Sequence, residues 1–244
     1  MHIIHLKEIE STNEELRKRA SKEHLRDFSI VIADYQTSGR GQVGNIWESE
    51  RGKNILMSSL MHHKRLDVHN QFYLSMAVAT VVGKVISYYV DDVQIKWPND
   101  VYVGNKKIAG ILIENKVSGK IITETIVGMG ININQEVFSD NIPNPTSLKI
   151  LTGKTFQLAE VLNHLVLLLP YCVDLVGGGN RYEKKSMYMR RLYRHDGKLY
   201  KFKDVDGVFE ASITDVAPDG RLILTDSEGK VRFYFFKEVE YIIE

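Results

Sequence analysis

Residues 39–47 combine the residue types that a loop needs in order to bind a small anion. They read GRGQVGNIW, with three glycines, one arginine and one tryptophan in nine positions. Glycine loses more backbone freedom on ordering than any other residue, so such a loop is costly unless a polar molecule must approach its backbone closely. Arg40 supplies the charge and the paired donors that suit a carboxylate or a phosphate. Glycine clusters also mark ordinary surface hairpins, and this segment alone leaves both interpretations open.

A second segment, residues 96–100, reads KWPND and places two short polar side chains directly after a strand. Pro98 ends the strand because it cannot donate a ladder hydrogen bond. Asn99 and Asp100 then stand where α/β sheets tend to hold ligands. The same residues are ordinary turn formers, and in isolation the segment favours a turn.

A third segment, residues 106–114, reads KKIAGILIE. Strict alternation along a strand predicts that Lys107 lies on the same face as Ala109, Ile111 and Ile113. A lysine on an apolar face either extends its head into solvent at the strand end or points at an anion. Lys106 fits the solvent interpretation, and Lys107 is the candidate for the anion.

A fourth segment, residues 128–134, reads GMGININ. Alternation puts Gly128, Gly130, Asn132 and Asn134 on one face of a strand. A strand face with two glycines has no side chains to pack, which favours a ligand or another backbone against it. Asn132 adds an amide that both donates and accepts hydrogen bonds.

Together these segments predict an enzyme that positions two substrates, rather than one that uses a side-chain nucleophile. They supply two cations, Arg40 and Lys107, with one carboxylate, several amides and bare backbone. Such a set suits stabilisation of charge on phosphorus, with Mg²⁺-bound ATP supplying the activation. Residues 153–155 resemble the end of a P-loop, but Leu148 occupies the position of its first glycine, so they are predicted to begin a helix instead.

The elements that must position these segments alternate between strands and helices up to about residue 188. Hydrophobic periodicity predicts helices over residues 11–22, 71–90 and 155–175. Ser11 and Glu14 have the spacing of a capping box, and Thr155 is the predicted cap of the third helix. Strands are predicted over residues 28–35, 54–62, 95–97, 107–114 and 120–134, with a loop at 141–145. This order predicts an α+β fold, a mixed β-sheet with helices on one face.

The composition changes near the glycine run at residues 177–179. After a helical stretch to about residue 191, short strands are separated by four turns, at Asp196-Gly197, Asp206-Gly207, Asp219-Gly220 and Glu228-Gly229. Short strands separated by regularly spaced turns predict a small antiparallel barrel. We therefore expect two domains, residues 1–188 and residues 189–244.

Composition excludes several broad classes of protein. The 244 residues carry 32 Lys plus Arg against 31 Asp plus Glu, which argues against a protein that mainly coats nucleic acid or an anionic membrane. The single cysteine, Cys172, lies in an apolar run and is expected in the core, which fits a reducing compartment. No secretory signal is visible, and no apolar stretch reaches the ~18 residues of a membrane span. The sequence predicts a cytoplasmic protein with no membrane partner.

The four segments, together with residues 10–13 (ESTN) and Gln36, occur in the order and spacing typical of biotin protein ligases, the biotin–[acetyl-CoA-carboxylase] ligases. The chain resembles this family over almost its whole length. The resemblance implies a class II synthetase-like catalytic domain followed by a small SH3-like β-barrel. It also implies two steps: biotin and ATP give biotinoyl-5′-AMP and pyrophosphate, and a lysine of a biotin carboxyl carrier domain then takes the biotin and releases AMP.

The resemblance further implies roles for individual residues. Lys107 and Arg40 are the implied catalytic cations, with Lys107 between the biotin carboxylate and the α-phosphate. The implied biotin-binding residues are Ser11, Thr12, Asn13, Gln36, Gly39, Arg40, Gly41, Gln42, Lys107 and Gly110. The implied nucleotide-binding residues are Arg40, Trp47, Asn99, Lys107 and Asn132, with Trp47 stacked on adenine. Asp100 is the candidate Mg²⁺ ligand.

Two departures from the family pattern have consequences. Many members carry arginine where this chain has Gln42 and Asn45, which predicts weaker retention of biotinoyl-AMP or a differently ordered loop. Some members have an N-terminal helix-turn-helix domain, for which we expect no room before residue 10, so nucleic acid is not an expected partner. Members include monomers and homodimers, and the sequence does not decide between them.

Two other functions share part of this residue pattern. Lipoate–protein ligases have the same general architecture and adenylation chemistry, but residues 39–47 and 96–100 favour biotin. A non-catalytic sensor of biotin or nucleotide would keep the same cavity. It would need no cation directed at a phosphate, so the presence of both Arg40 and Lys107 argues against it.

Overall fold

The computed structural model describes residues 2–42, 44–172 and 181–243. Its helices include α1 (Thr12–Lys22), α2 (Phe72–Ile86), α3 (Leu148–Thr152), α4 (Leu158–Leu168) and α5 (Arg181–Met189). The first strands are β1 (Ile3–Leu6), β2 (Ile30–Ala33), β3 (Ile55–Asp67), β4 (Val93–Lys96), β5 (Asp100–Val103), β6 (Lys106–Ser118) and β7 (Ile121–Ile131). The later strands are β8 (Tyr200–Asp204), β9 (Gly207–Val216), β10 (Leu222–Asp226), β11 (Val231–Tyr234) and β12 (Glu240–Tyr241).

The first seven strands form one mixed sheet in the order β1-β2-β3-β7-β6-β5-β4. Strands β1 and β2 run parallel, and the other neighbouring pairs are antiparallel. The long strands β3, β7 and β6 lie side by side in the middle of the sheet. This arrangement confirms the predicted α+β fold with a mixed sheet. It also places the third and fourth sequence segments on adjacent strands.

Strand alternation gives this sheet two different faces. One face packs on α2 and forms the main core, in which Met57 and Met129 are buried. The opposite face packs on α1 through a smaller apolar cluster that contains Leu16, Leu60 and Ile126. The expectation of helices on one face therefore holds for α2 but not for α1. Beyond Ile126 the α1 face of β7 has only glycine backbone, so side chains from other elements can lie directly on the sheet there.

The last five strands form a second sheet in the order β11-β10-β9-β8-β12, and its neighbouring strands are antiparallel. The four predicted turn glycines, Gly197, Gly207, Gly220 and Gly229, all have positive φ angles, which other residues rarely adopt. The predicted antiparallel unit at the C-terminus is confirmed. Its closure into an SH3-like barrel and the boundary at residue 188 stay predictions, and the glycine run at 177–179 lies outside the described residues.

The helix predicted over residues 155–175 begins later than expected. Helix α4 starts at Leu158 with Gln157 at its N-cap, so Thr155 is not the cap, and residues 173–175 lie outside the described part of the chain. Gly153, with a φ of 71°, ends α3 and does not begin a helix. A left-handed glycine closes a helix by satisfying its last carbonyl groups, and the predicted helix start was wrong for that reason.

Two expectations from composition concern the helices and the cysteine. None of the helices described is long and apolar enough to cross a membrane. Cys172 is a free, buried cysteine, and burial raises the pKa of its thiol to about 12. The thiol is therefore protonated at neutral pH, and the residue acts as a small core side chain as predicted.

Candidate active site

A cavity of about 100 Å³ lies on the α1 face of the larger sheet, between the sheet, the start of α1 and residues 39–47. Most of the residues implied in the site line it: Ser11, Thr12, Asn13, Gln36, Arg40, Gly41, Gln42, Trp47, Asn99, Asp100, Lys107 and Gly110. The strand glycines Gly128 and Gly130 line it as well. Gly39 and Asn132 are not among the described lining residues. The fold thus brings all four sequence segments to one place.

One corner of the cavity is a hydrogen-bonded polar cluster at the start of α1. The backbone nitrogen and the hydroxyl of Thr12 donate to Gln36 Oε1, at 2.7 and 3.0 Å. Asn13 Nδ2 donates to Glu114 Oε2 at 2.6 Å. The hydroxyl of Ser58, on β3, donates to Thr12 Oγ1 at 2.7 Å and anchors the cluster to the sheet. Each of these side chains therefore has a fixed orientation before any ligand binds.

Sequence reasoning missed Ser58, although the sequence contained a signal. The residue is fully buried in the apolar run of β3. A buried hydroxyl requires a hydrogen-bond partner, so a serine in the middle of such a strand indicates a polar neighbour on that face.

The predicted capping box of α1 is wrong. Ser11 is the N-cap residue by position, but its side chain makes no cap hydrogen bond within the described structure. Glu14 is not turned back toward Ser11, because its carboxylate pairs with Arg17 at 3.0 Å and also with Arg40. The buried Ser11 hydroxyl therefore remains available to the cavity that it lines.

Residues 39–47 form a short hairpin that turns its tryptophan toward the sheet. Arg40 pairs with Ile46 in an antiparallel bridge, and Trp47 N donates to the Gly39 carbonyl at 3.0 Å. Gly39 has to be glycine, because a Cβ there would overlap the carbonyl of Trp47. Val43 lies outside the described residues. The hairpin interpretation of this segment is confirmed, and the hairpin also lines the cavity, whereas its role in binding an anion stays a prediction.

The indole of Trp47 lies directly on the bare backbone of the two central strands. A Cβ on Gly130 would overlap its five-membered ring, and a Cβ on Gly110 would lie 2.8 Å from its Cζ3 atom. Trp47 Nε1 is buried and has no hydrogen-bond partner among the described residues, which costs about 1–3 kcal/mol. The glycine face predicted to accept a guest is thus covered by a side chain of the protein itself.

A β-bulge determines where Lys107 points. In the ladder between β5 and β6, Val101 pairs with Ala109, whereas the next residue, Tyr102, pairs with Lys107. Ile108 is therefore an extra residue on β6. An extra residue reverses the alternation on one side of the bulge, and bulges near active sites often redirect a side chain in this way.

The bulge overturns the prediction that Lys107 shares a face with Ala109, Ile111 and Ile113. Ala109 and Ile111 are buried in the main core on the α2 face. Lys107 instead faces the cavity beside Gly110, and its Cε atom would lie 3.4 Å from a Cβ placed there. The lysine points at the site and does not snorkel from an apolar face.

Both cavity cations are paired with carboxylates of the protein. Lys107 Nζ lies 2.8 Å from Asp100 Oδ2 and 5.7 Å from the centre of the Trp47 ring. Arg40 pairs with Glu14 on α1. An arriving anion has to compete with these two carboxylates for the cations.

The amide side chains of Asn99 and Asn132 are both engaged in holding backbone. Asn99 Nδ2 donates to the carbonyl of Ile111 across the sheet. Asn132 is buried, and its Nδ2 donates to the carbonyl of Thr146 at 3.0 Å. Asn99 lines the cavity and Asn132 is not among its described lining residues. The nucleotide-binding roles implied for both residues stay predictions.

The described lining of the cavity contains few possible magnesium ligands. Asp100 is the one carboxylate among the described lining residues, and it is already paired with Lys107. The described residues contain no group of three His, Cys, Asp or Glu side chains that could hold a metal ion. The role of Asp100 as a Mg²⁺ ligand therefore stays a prediction.

The C-terminal sheet also reaches the cavity, through an aromatic side chain that sequence reasoning did not select. Phe236 lines the cavity, and its ring centre lies 6.3 Å from that of Trp97 in the second segment. Trp97 Nε1 donates to the carbonyl of Gly220, in the turn before β10, at 2.8 Å. These contacts hold the C-terminal sheet against the loop between β4 and β5.

A mixed sheet with a bare strand face, two cations beside it and a hairpin over it defines a protein that binds small anionic substrates. The family model for the biotin/lipoate A/B protein ligase family matches residues 6–132, slightly more than half of the chain. The chain belongs to this family.

Individual relatives and solved structures agree with that assignment. The chain is 29% identical to the bifunctional ligase/repressor BirA of Bacillus spizizenii over 240 residues, which is 96% of this chain and 72% of that protein. It is 32% identical to the biotin–[acetyl-CoA-carboxylase] ligase of Mycobacterium tuberculosis over 142 residues, or 57% of this chain and 51% of that protein. The structure of biotin protein ligase from Aquifex aeolicus in complex with biotin and ATP is similar over 99% of both chains, with 25% identity and a TM-score of 0.79.

Proposed function

We propose that this protein is an ATP-dependent biotin–protein ligase that activates biotin as biotinoyl-5′-AMP and transfers it to a lysine of a carboxylase carrier domain. The observation that carries the proposal is the position of Lys107. The bulge in β6 turns its ammonium group into a cavity whose floor is the bare backbone of Gly110 and Gly130. A cation above bare backbone suits two anionic groups that have to be brought together.

In the first step, a carboxylate oxygen of biotin bonds to the α-phosphorus of ATP. The bond from that phosphorus to the bridging oxygen of the β-phosphate breaks, and pyrophosphate leaves as its Mg²⁺ complex. Lys107, released from Asp100, lies between the carboxylate and the α-phosphate and neutralises both. Arg40, released from Glu14, binds the outer anionic groups. Alignment of two bound reactants in this way can supply roughly 7–11 kcal/mol of the barrier.

In the second step, the amine of the carrier lysine attacks the acyl carbon of biotinoyl-AMP. The new C–N bond replaces the C–O bond to AMP, and the amine nitrogen loses a proton as AMP leaves. The chain supplies position and charge for this step, and the reactivity lies in the mixed anhydride itself.

The polar cluster at the start of α1 is the proposed site for the ring system of biotin. Ser11 lines the cavity and makes no cap hydrogen bond in the described structure, and Thr12, Asn13 and Gln36 are already oriented by the hydrogen bonds given above. Preorganised donors and acceptors of this kind suit a cyclic urea, which both donates and accepts hydrogen bonds. Trp47 and Asn99 are the proposed residues on the nucleotide side.

Residues 1–188 and 189–244 are the proposed catalytic and SH3-like domains, and a carrier domain in the cytoplasm is the proposed partner. Phe236 supports a contribution of the C-terminal sheet to the mouth of the site, since it lines the cavity from outside the larger sheet. Both a monomer and a homodimer are consistent with this arrangement.

The direct test of the substrate is a transfer assay with Mg²⁺-ATP, a biotin carboxyl carrier domain and either biotin or lipoate. In the reaction with biotin, we expect the carrier domain to gain the mass of one biotinoyl group. In the reaction with lipoate, we expect no gain in mass. A gain with lipoate alone would favour a lipoate–protein ligase, the second activity of the family. Binding of biotin without any transfer or pyrophosphate release would favour a sensor.

A further inference from the structure

Asp100 lies between two lysines, only one of which is paired with it. The antiparallel register of β4 and β5 places Lys96 directly opposite Asp100. Side chains of such cross-strand partners lie on the same face, with Cβ atoms about 4.5–5.5 Å apart. The carboxylate of Asp100 nevertheless pairs with Lys107, on the strand at its other side, at 2.8 Å.

The ammonium group of Lys96 lies against aromatic rings, and no carboxylate of the described residues pairs with it. Its Nζ atom lies 4.7 Å from the ring centre of Tyr241 and 5.4 Å from that of Tyr102, and it forms no ion pair within the described residues. Burial lowers the pKa of Lys96, Asp100 raises it, and the nearby charges of Lys107 and Arg194 lower it further. A partly buried cation without an ion pair is unfavourable in the resting protein.

The proposed reaction changes the charge balance around Asp100. When Lys107 turns to the biotin carboxylate and the α-phosphate, Asp100 loses its cation at the moment when two more anions arrive beside it. An unpaired carboxylate in that position would repel both substrates. The residue directly across the strand pair from Asp100 is Lys96, whose ammonium group lies against two tyrosine rings.

We propose that Lys96 is a positioning residue that takes over Asp100 as its counter-ion and so frees Lys107 for the substrates. This inference rests on the proposed function, because it assigns Lys107 to the reacting groups. Tyr241 belongs to β12, so the C-terminal sheet contacts one side of Lys96 in the ligand-free protein. The sheet is thereby connected to the catalytic lysine through Lys96 and Asp100.

The test is a double-mutant cycle on the full chain, measured as biotin-dependent release of pyrophosphate from Mg²⁺-ATP. Lys96→Met removes the charge and keeps the apolar stem, and it is expected to lower kcat on the order of tenfold. Lys96→Arg is expected to keep most of the rate, because it retains the cation. The matched control is Lys106→Met, which removes an exposed lysine from the adjacent strand and is expected to behave as wild type.

The decisive comparison uses Asp100→Asn, in which no carboxylate needs a counter-ion. In that background, Lys96→Met is expected to cause little further loss. An equal loss in both backgrounds, or no loss in either, would overturn the proposal while leaving the ligase activity intact. Absence of pyrophosphate release by the wild type would instead overturn the proposed function. If Lys96→Met does not melt cooperatively, Lys96→Gln takes its place in the cycle.

Discussion

The ammonium group of Lys107 lies 2.8 Å from Asp100 Oδ2. Arg40 has the same kind of relationship with Glu14 on α1. The two cations that the proposed reaction needs are therefore both neutralised in the ligand-free protein. Substrate binding in this account is an exchange of counter-ions, in which a biotin carboxylate and phosphate groups replace protein carboxylates.

Trp47 has to move when substrates bind. The open volume of about 100 Å³ is smaller than the ~300 Å³ or more of a typical ligand pocket, and the indole covers the glycine floor. We expect the emission of Trp47 to change when biotin and ATP bind. A Trp47→Phe variant should lose most of this ligand-induced change in emission.

The chain contains a matched control for that experiment, because its other tryptophan is Trp97. Trp97 is buried and hydrogen-bonded to Gly220, and it is not among the described lining residues of the cavity. A Trp97→Phe variant should keep the ligand-induced change in emission. A change that persists without Trp47 would show that the indole stays on the glycine floor.

Gly130→Ala tests whether the bare strand face is required. The added Cβ would overlap the indole of Trp47, so we expect the hairpin to be displaced at a cost of roughly 1–3 kcal/mol in unfolding free energy. Thermal unfolding monitored by circular dichroism measures that cost. Gly83→Ala, in α2, is the control, because the nearest atom to its added Cβ lies 3.8 Å away at Val93. Equal stability of Gly130→Ala and wild type would contradict the packing described here.

Gln42→Arg tests the consequence of the two replaced arginines. Gln42 lines the cavity from the hairpin, so an arginine there adds a positive charge beside the bound anhydride. We expect biotinoyl-AMP to dissociate more slowly, by on the order of tenfold, which corresponds to about 1.4 kcal/mol. A filter-binding chase with labelled adenylate measures the off-rate. An unchanged off-rate would mean that these positions do not control retention.

The C-terminal sheet should lose stability in acid. A hydrogen bond from Tyr234 lowers the pKa of Asp204, and a hydrogen bond from the backbone N–H of Lys230 lowers that of Asp226. A carboxylate with a lowered pKa in the folded state stabilises the fold above its unfolded pKa, and that contribution is lost as the pH falls through the folded value.

We therefore expect the melting temperature of the full chain to fall below about pH 4, near the ordinary aspartate pKa. Asp226→Asn should be less stable than wild type at neutral pH and should show a smaller further loss in acid. Parallel pH curves for the two proteins would show that Asp226 makes no such contribution.

The residue types of the site could be predicted from the sequence, but some of their orientations could not. Glycine backbone at residues 128–130 and the lysine at 107 were identified because their chemistry is local. The direction of Lys107 was not, because the bulge at Ile108 depends on pairing with β5, and one strand's alternation contains no information about its neighbour. The missing cap at Ser11 has a similar cause, since Glu14 pairs with Arg40 from the distant hairpin.

Lys107 is the residue on which the proposed reaction depends most directly. The measurement that tests its role is biotin-dependent release of pyrophosphate from Mg²⁺-ATP by wild type, Lys107→Ala and Lys106→Ala at saturating substrates. We predict that Lys107→Ala lowers the rate by on the order of a hundredfold or more, as for loss of a preorganised charge-stabilising group. Lys106, the exposed neighbour, should be replaceable without loss. Full activity of Lys107→Ala, or equal losses in the two variants, would contradict the assignment of Lys107 to the reacting groups.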